Sequence, residues 1–304
     1  MNNTYVKQKL DELHLIDDFL FFQMMNHPKY GPKFSRLLLK LILGRDVGKL
    51  HVIPQKEYYG EDTDLHGARL DVYLEEEEPD FLLDFEDEGV PSVYDLEPEK
   101  KKDLESNNLP KRVRFYHAVI DSHSLKSGKS YGNLKNVLII MITDYDPFGL
   151  NRMIYTVRTG CVEEPDMNYK DGAQTIFLYT KGTEGNPPER LRKLLQYIDG
   201  GRSEEDLEPE ETEALEIAQM VNQIKKDAEV TVKYMKQWEK LQKVYHDGQR
   251  ERSIEDIMEL LEDYGDIPEE LHKKILNEQD PDTLKKWHKL AAKVSSMDEF
   301  AAKM

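Results

Sequence analysis

The sequence predicts a mixed α/β domain followed by an all-helical region. Residues 137–142 form a continuous apolar, β-branched run of strand length, which is typical of a fully buried strand. Segments 69–74 and 81–86 each alternate between apolar and polar residues, as strands with one buried face do. From about residue 205 onward, apolar residues recur at steps of three and four, which predicts helices. We therefore expect an α/β domain at 1–203 and a helical region at 204–304.

The first domain is expected to begin with two helices, at 9–25 and 33–44, which a proline- and glycine-containing connection separates. A β-hairpin at 69–88 follows, and residues 89–109 read as a polar loop because they contain two prolines and a lysine run. The other predicted elements are a helix at 110–125, strands at 136–143, 154–158 and 175–180, and a helix between Pro187 and Gly200.

Bulk composition excludes several classes of protein. No apolar run approaches the roughly 18 to 20 residues that a membrane-spanning helix needs. Cys161 is the only cysteine, so an internal disulfide and a cysteine zinc cluster are excluded. With a net charge of −18 and no visible secretory signal, we expect a cytoplasmic protein without a membrane partner.

The negative charge is concentrated in one stretch of the chain. Residues 61–100 contain sixteen Asp or Glu and only two Lys or Arg, whereas 1–60 and 101–152 carry a net positive charge. Carboxylates suit a hard divalent cation, and flanking cations suit phosphates. This arrangement is what a metal-dependent phosphodiesterase requires.

The expected hairpin places like charges opposite each other. A turn centred on Glu78-Pro79 sets Val72 against Phe85 on an apolar face, and Asp71 against Glu86 on the other. Like charges directly opposite across a ladder are destabilising. Either this face is solvated or a cation lies between the carboxylates, and the pattern alone leaves both interpretations open.

The helix at 110–125 offers cations near this acidic segment. Lys111 and Arg114 are three residues apart, and Arg112 and Tyr116 are four apart, so each pair shares a helix face. These side chains either bind the phosphates of a nucleic acid or simply balance the charge of the hairpin.

Several segments, taken in order, resemble the PD-(D/E)XK nuclease superfamily, and within it the recombination-promoting nuclease or putative transposase family. The central pair is Arg-Leu-Asp-Val-Tyr at 69–73 and Asp-Phe-Glu-x-Glu at 84–88. The other similar segments are 109–116, 131–134, 142–149, 171–173, 176–178 and 181–182. The resemblance covers about residues 9–200.

The resemblance implies a restriction-endonuclease-like mixed sheet flanked by helices, and an endonuclease that cleaves DNA with Mg²⁺ or Mn²⁺, linked to recombination or mobile elements. It maps the two main metal carboxylates onto Asp71 and Glu86, and the third catalytic position onto Glu88. It also makes Asp18, in the first helix, a candidate metal ligand. Lys111, Arg112, Arg114 and Tyr116 become the expected contacts to DNA.

Glu88 departs from the family pattern, which usually has lysine or glutamine at this position. Glutamate cannot supply positive charge, so we expect Lys111 or Arg112 to provide it. The alternative is a catalytically degenerate nuclease fold that acts as a binding or regulatory module. The apolar stripe at 212–244 suits either docking within the chain or a homo-oligomer.

Overall fold

The structure is a computed structural model that describes residues 9–58, 68–76, 93–100, 108–167 and 169–304. Its contacts divide the chain into two compact units, Met1–Thr231 and Val232–Met304. The first unit contains a mixed α/β fold, and the second is helical. The division falls after residue 231 rather than near 203, because the helix that follows residue 203 packs against the N-terminal helices.

Besides the helical residues 9–11, five longer α-helices of the described residues lie wholly within the first unit. They are α1 (Asp18–Asn26), α2 (Gly31–Leu43), α3 (Leu109–Ser124), α4 (Glu189–Ile198) and α5 (Thr212–Lys226). Gly44 ends α2 in the left-handed conformation, with φ 71°, and its N–H donates to the carbonyl oxygen of Lys40. Pro32 and Pro110 lie in the first turns of α2 and α3, where a missing N–H costs nothing.

The predicted first helix, 9–25, is interrupted. Residues 9–11 are helical, but a turn follows and α1 begins only at Asp18. The side chain of Asp17 accepts a hydrogen bond of 2.8 Å from the N–H of His14 across this turn. Aspartate favours such local bonds over a helix interior, which explains why the apolar periodicity alone predicted too long a helix.

The six strands of the described residues form one mixed sheet. They are β1 (Leu50–Tyr58), β2 (Ala68–Glu76), β3 (Val93–Glu99), β4 (Val137–Thr143), β5 (Ile154–Arg158) and β6 (Ala173–Tyr179). Their order across the sheet is β1-β2-β3-β4-β6-β5. The pairs β1–β2, β2–β3 and β5–β6 are antiparallel, whereas β3–β4 and β4–β6 are parallel. The fully apolar strand predicted at 136–143 is β4, at the centre of the sheet.

The predicted hairpin register is wrong. Val72 was expected opposite Phe85, but its partners are Pro54 on β1 and Leu96 on β3. Both edges of β2 are therefore occupied, and neither β1 nor β3 was predicted as a strand. Proline interrupts each of them, at Pro54 and Pro98. Pro98 is one reason why 89–109 is interpreted as a loop, and the sequence pattern assigns no element to 50–58.

The two faces of the sheet are covered by different helices. Consecutive strand residues point to opposite faces, so Tyr94 and Asp95 of β3 face different layers. The Tyr94 hydroxyl contacts Arg45, directly after α2, on one side. On the other side, α3 packs against β2 and β4 through an apolar cluster that includes Val113 and Ile139.

The second unit is built from the greater part of α6 and three shorter helices. Their bounds are α6 (Ala228–Glu262), α7 (Glu269–Asn277), α8 (Pro281–Ala291) and α9 (Met297–Lys303). Ile257, Leu261, Ile275, Leu284 and Phe300 lie at its fully buried centre. In the ranges that the structure describes, no helix has the length and apolarity needed to span a membrane.

Candidate active site

Four acidic residues of two neighbouring strands share the sheet face that α3 covers. Asp71 lies on β2, and Asp95, Glu97 and Glu99 follow one another at every second position of β3. Period-two spacing puts side chains on one face of a strand, and Tyr73 of β2 lies opposite Asp95. We call Asp71, Asp95, Glu97 and Glu99 the carboxylate cluster.

Two members of the cluster are buried carboxyls with perturbed acidity. Asp95 is fully buried, and neither of its carboxyl oxygens has a hydrogen-bond partner of normal geometry within the described residues. Burial, with the charge of Asp71, raises the pKa of Asp95 well above its usual range. Burial and the charges of Asp95 and Asp71 likewise raise the pKa of Glu97. Both groups therefore favour the neutral form or a nearby cation.

A direct hydrogen bond connects β2 to this pair. The main-chain N–H of Asp71 donates to Oε1 of Glu97 over 2.7 Å. The bond lies one residue beyond the paired segment that joins Val72 to Leu96. It fixes Glu97 beside Asp71, so that two carboxyls from adjacent strands lie together at the end of the β2–β3 ladder.

Glu99 is the member of the cluster that is held by positive charge. Its Oε2 accepts a hydrogen bond from Arg112 of α3, and its Oε1 accepts one of 3.0 Å from the hydroxyl of Tyr145. The Nε of Arg112 is buried and has no hydrogen-bond partner within the described residues. Arg112 thus places its positive charge against Glu99 of the carboxylate cluster.

Tyr116 lies one turn after Arg112 and faces the same carboxyls. Burial and the negative charge of Glu97 raise the pKa of Tyr116 above its usual value, and Asp95 and Asp71 add to the effect. The phenol therefore stays protonated at neutral pH and can donate a hydrogen bond at this face.

The remaining predicted contacts lie elsewhere. Lys111 and Arg114 are exposed on the outer side of α3, away from the face that carries Arg112 and Tyr116. Asp18 is exposed in the first turn of α1. The preceding residue, Asp17, is the one tied to the end of β3, because its Oδ1 accepts a 2.8 Å hydrogen bond from Lys100.

Glu86 and Glu88 lie outside the described residues. The sequence reasoning missed Asp95, Glu97 and Glu99, although a signal for them existed. The spacing Asp-x-Glu-x-Glu occurs three times, at 84–88, 95–99 and 206–210, and only the first occurrence was assigned to a strand. The second occurrence is the one in β3 beside Asp71.

The donor set suits a hard divalent cation, although it is not a complete ligand cage. Within the described residues, no group of three or more His, Cys, Asp or Glu side chains is arranged to hold one metal ion. Mg²⁺ sites often use only one or two carboxylates, completed by waters and substrate phosphate. The carboxyls of Asp71 and Glu97, with the fully buried Asp95 beside them, match that chemistry.

Comparisons with known proteins identified no relative of this chain. No protein-family model, no curated protein and no solved structure matches this chain.

Proposed function

We propose that this protein is a metal-dependent DNA endonuclease of the PD-(D/E)XK type, with a restriction-endonuclease-like core. The observation that carries the proposal is the buried carboxylate pair Asp95 and Glu97 beside Asp71. Two buried carboxyls and a partly exposed third beside them repel one another as anions, and a divalent cation would relieve that repulsion. The resemblance of segment 69–73, which contains Asp71, to the first metal-ligand motif of that superfamily supports the same proposal.

Asp71 and Glu97 are the proposed metal-holding pair, with Glu97 in place of the originally expected Glu86. The reason is contact: Glu97 accepts the N–H of Asp71 on the neighbouring strand. Asp95 lies behind this pair and is fully buried. Its carboxyl is either ionised beside the metal ion or protonated. Bound Mg²⁺ or Mn²⁺ would supply Lewis acidity and a more acidic water for hydrolysis of the phosphodiester bond.

The protein residues around the pair have separate tasks. Glu99 takes the third position of the motif, and Arg112 neutralises it. Arg112 thereby brings to the site the positive charge that a lysine would otherwise supply. Tyr116 stays protonated beside Glu97 and can donate to a non-bridging oxygen of the substrate.

Nicking of supercoiled plasmid DNA tests the proposal. Wild-type protein should nick with Mg²⁺ or Mn²⁺ and not with excess EDTA, whereas Asp71→Asn should reduce the rate by at least about 10²-fold. Asp247→Asn, an exposed change on α6, serves as a control for the loss of one negative charge. Metal-dependent nicking that survives Asp71→Asn would refute the assigned site.

The second candidate function is a degenerate nuclease fold that binds a partner without cleaving it. It is favoured by Glu99, a glutamate at the position where the motif usually has lysine. Arg112 and Tyr145 both donate hydrogen bonds to its carboxylate. Absence of nicking with every divalent ion, together with absence of metal binding by calorimetry, would favour this candidate.

A further inference from the structure

A basic stripe runs along the exposed side of α2. Lys29, just before the helix, and Lys33, Arg36 and Lys40 within it are spaced by four, three and four residues. This spacing keeps all four on one helix face. At 1.5 Å per residue, the stripe extends over about 16 Å. The opposite side of α2 is buried through Phe34 and other apolar residues, so the orientation of the stripe is fixed by packing.

The stripe borders an open groove. The groove has a volume of about 520 Å³, and besides the four cations its lining consists of Pro32, Leu37, Asp46 and Val47. Asp46 is the only acidic residue among these lining residues. The lining has four cations and one anion, but two of the cations also pair with glutamates of α5. In a protein of net charge −18 the groove is still a locally basic surface, because Lys29 and Arg36 have no such ion pair within the described residues.

The cations of the stripe differ in how strongly they are engaged. Arg36 and Lys29 are exposed, and neither forms an ion pair within the described residues. Lys33 pairs with Glu216 at 2.7 Å, but both side chains are about half exposed, so the pair contributes little. Lys40 is held more firmly, between Glu213 at 3.1 Å and Asp46 at 3.2 Å. Lys29, Lys33 and Arg36 are therefore available to an external anion.

We propose that this groove binds the phosphate backbone of a nucleic acid, as a surface separate from the carboxylate cluster. Cations that lie one helical turn apart along an open groove fit an extended polyanion. A single small anion is bound better by an enclosed site. The choice of DNA as the polyanion rests on the endonuclease proposed above.

The groove and the carboxylate cluster belong to opposite layers of the fold. Arg45, directly after α2, contacts Tyr94 on one sheet face, whereas Asp95 points to the face that α3 covers. The groove therefore does not hold the bond that reacts. It anchors a second stretch of the same nucleic acid, and it should contribute to affinity without any requirement for a metal ion.

The test is binding of short fluorescein-labelled DNA, single-stranded and duplex in separate titrations, measured by fluorescence anisotropy in excess EDTA. Three phosphate contacts predict that duplex affinity falls about 40-fold between 50 and 200 mM salt. The variant Lys29→Gln/Lys33→Gln/Arg36→Gln should lose most of the affinity and most of the salt dependence. Lys285→Gln/Lys286→Gln/Lys289→Gln, which removes three exposed cations from α8, should bind like wild type.

The controls separate this inference from the proposed nuclease activity. If no DNA is cleaved but the α2 variant alone loses binding, the endonuclease proposal fails and the groove assignment stands. If both triple variants bind DNA equally well, the groove assignment is overturned. Poly-glutamate that competes as well as unlabelled DNA would also overturn it, because the surface would then recognise acidic polypeptides rather than nucleic acids.

Discussion

The N–H of Asp71 donates a hydrogen bond of 2.7 Å to the Oε1 of Glu97, and this contact joins two carboxyl-bearing residues of adjacent strands. Asp95, two residues earlier on β3, is fully buried on the same face. A protein interior rarely tolerates three neighbouring carboxyls without protons or a cation. The predictions below follow mainly from this relationship and from the residues around it.

Asp95 should make the protein less stable as pH rises. Burial raises the pKa of Asp95, so the folded state keeps its proton at a pH where the unfolded state has lost it. Stability is then greatest below the unfolded pKa of about 4, and it falls as pH rises towards the folded pKa. In urea unfolding at about pH 8, Asp95→Asn should be more stable than wild type by about 1–3 kcal/mol.

The matched control for this change is Asp247→Asn, which removes an exposed charge from α6. It should leave the free energy of unfolding within about 0.5 kcal/mol of wild type at each pH. If Asp95→Asn loses as much stability as wild type between about pH 5 and pH 8, the buried carboxyl with the raised pKa is not that of Asp95.

Adjacent cations of α3 should differ in their effect on DNA cleavage. Arg112 contacts Glu99, whereas Lys111 is exposed on the outer side of the helix. Arg112→Ala should lower the nicking rate by about 10²-fold or more, because it removes the positive charge beside the carboxylates. Lys111→Ala should change the rate by less than about threefold. Equal effects of the two substitutions would contradict the orientation that the structure gives α3.

A buried network on the other sheet face should contribute to stability. The Tyr94 hydroxyl donates to Oε2 of the fully buried Glu76 over 2.6 Å and accepts from Arg45 over 2.7 Å. Tyr94→Phe leaves this carboxylate oxygen short of a donor and should cost about 1–3 kcal/mol in urea unfolding. Tyr131→Phe, at a side chain that is 82% exposed, should cost almost nothing. A negligible cost for Tyr94→Phe would mean that water replaces the phenol.

An added methyl group should have opposite effects on stability at two glycines. A Cβ at Gly31 would overlap the main-chain carbonyl oxygen of Met25, where α1 and α2 approach closely. Gly248 lies within α6, and a Cβ there would meet no atom within 4 Å. Gly31→Ala should destabilise the protein by about 1–3 kcal/mol, and Gly248→Ala should stabilise it by about 0.5–1 kcal/mol. Calorimetric unfolding measures both, and a stabilising Gly31→Ala would contradict the close approach.

Regular apolar patterns predicted the interior of the fold well. The uninterrupted run that became β4 and the alternating segments that became β5 and β6 agree with the structure to within about two residues. Pro110 correctly indicated the start of α3. These elements bury apolar side chains at the period of their own backbone, so local sequence is sufficient to identify them.

The candidate site was predicted only in part, because it depends on which strands become neighbours. Asp71, Arg112 and Tyr116 were selected from the sequence, and the structure brings all three to the carboxylate cluster. Glu97, the partner of Asp71, was not selected from the sequence, because Asp84-x-Glu86-x-Glu88 and Asp95-x-Glu97-x-Glu99 have the same spacing. Strand register is decided by long-range pairing with β1 and β4, which a local alternation cannot reveal.

Calorimetric titration with Mn²⁺ tests the central claim most directly, because it measures binding of the metal ion to Asp71 and Glu97 without requiring cleavage. Wild-type protein should bind the ion, and both Asp71→Asn and Glu97→Gln should abolish that binding, whereas Glu86→Gln should retain it. If Glu86→Gln abolishes binding while Glu97→Gln leaves it intact, the metal pair proposed for β2 and β3 is wrong.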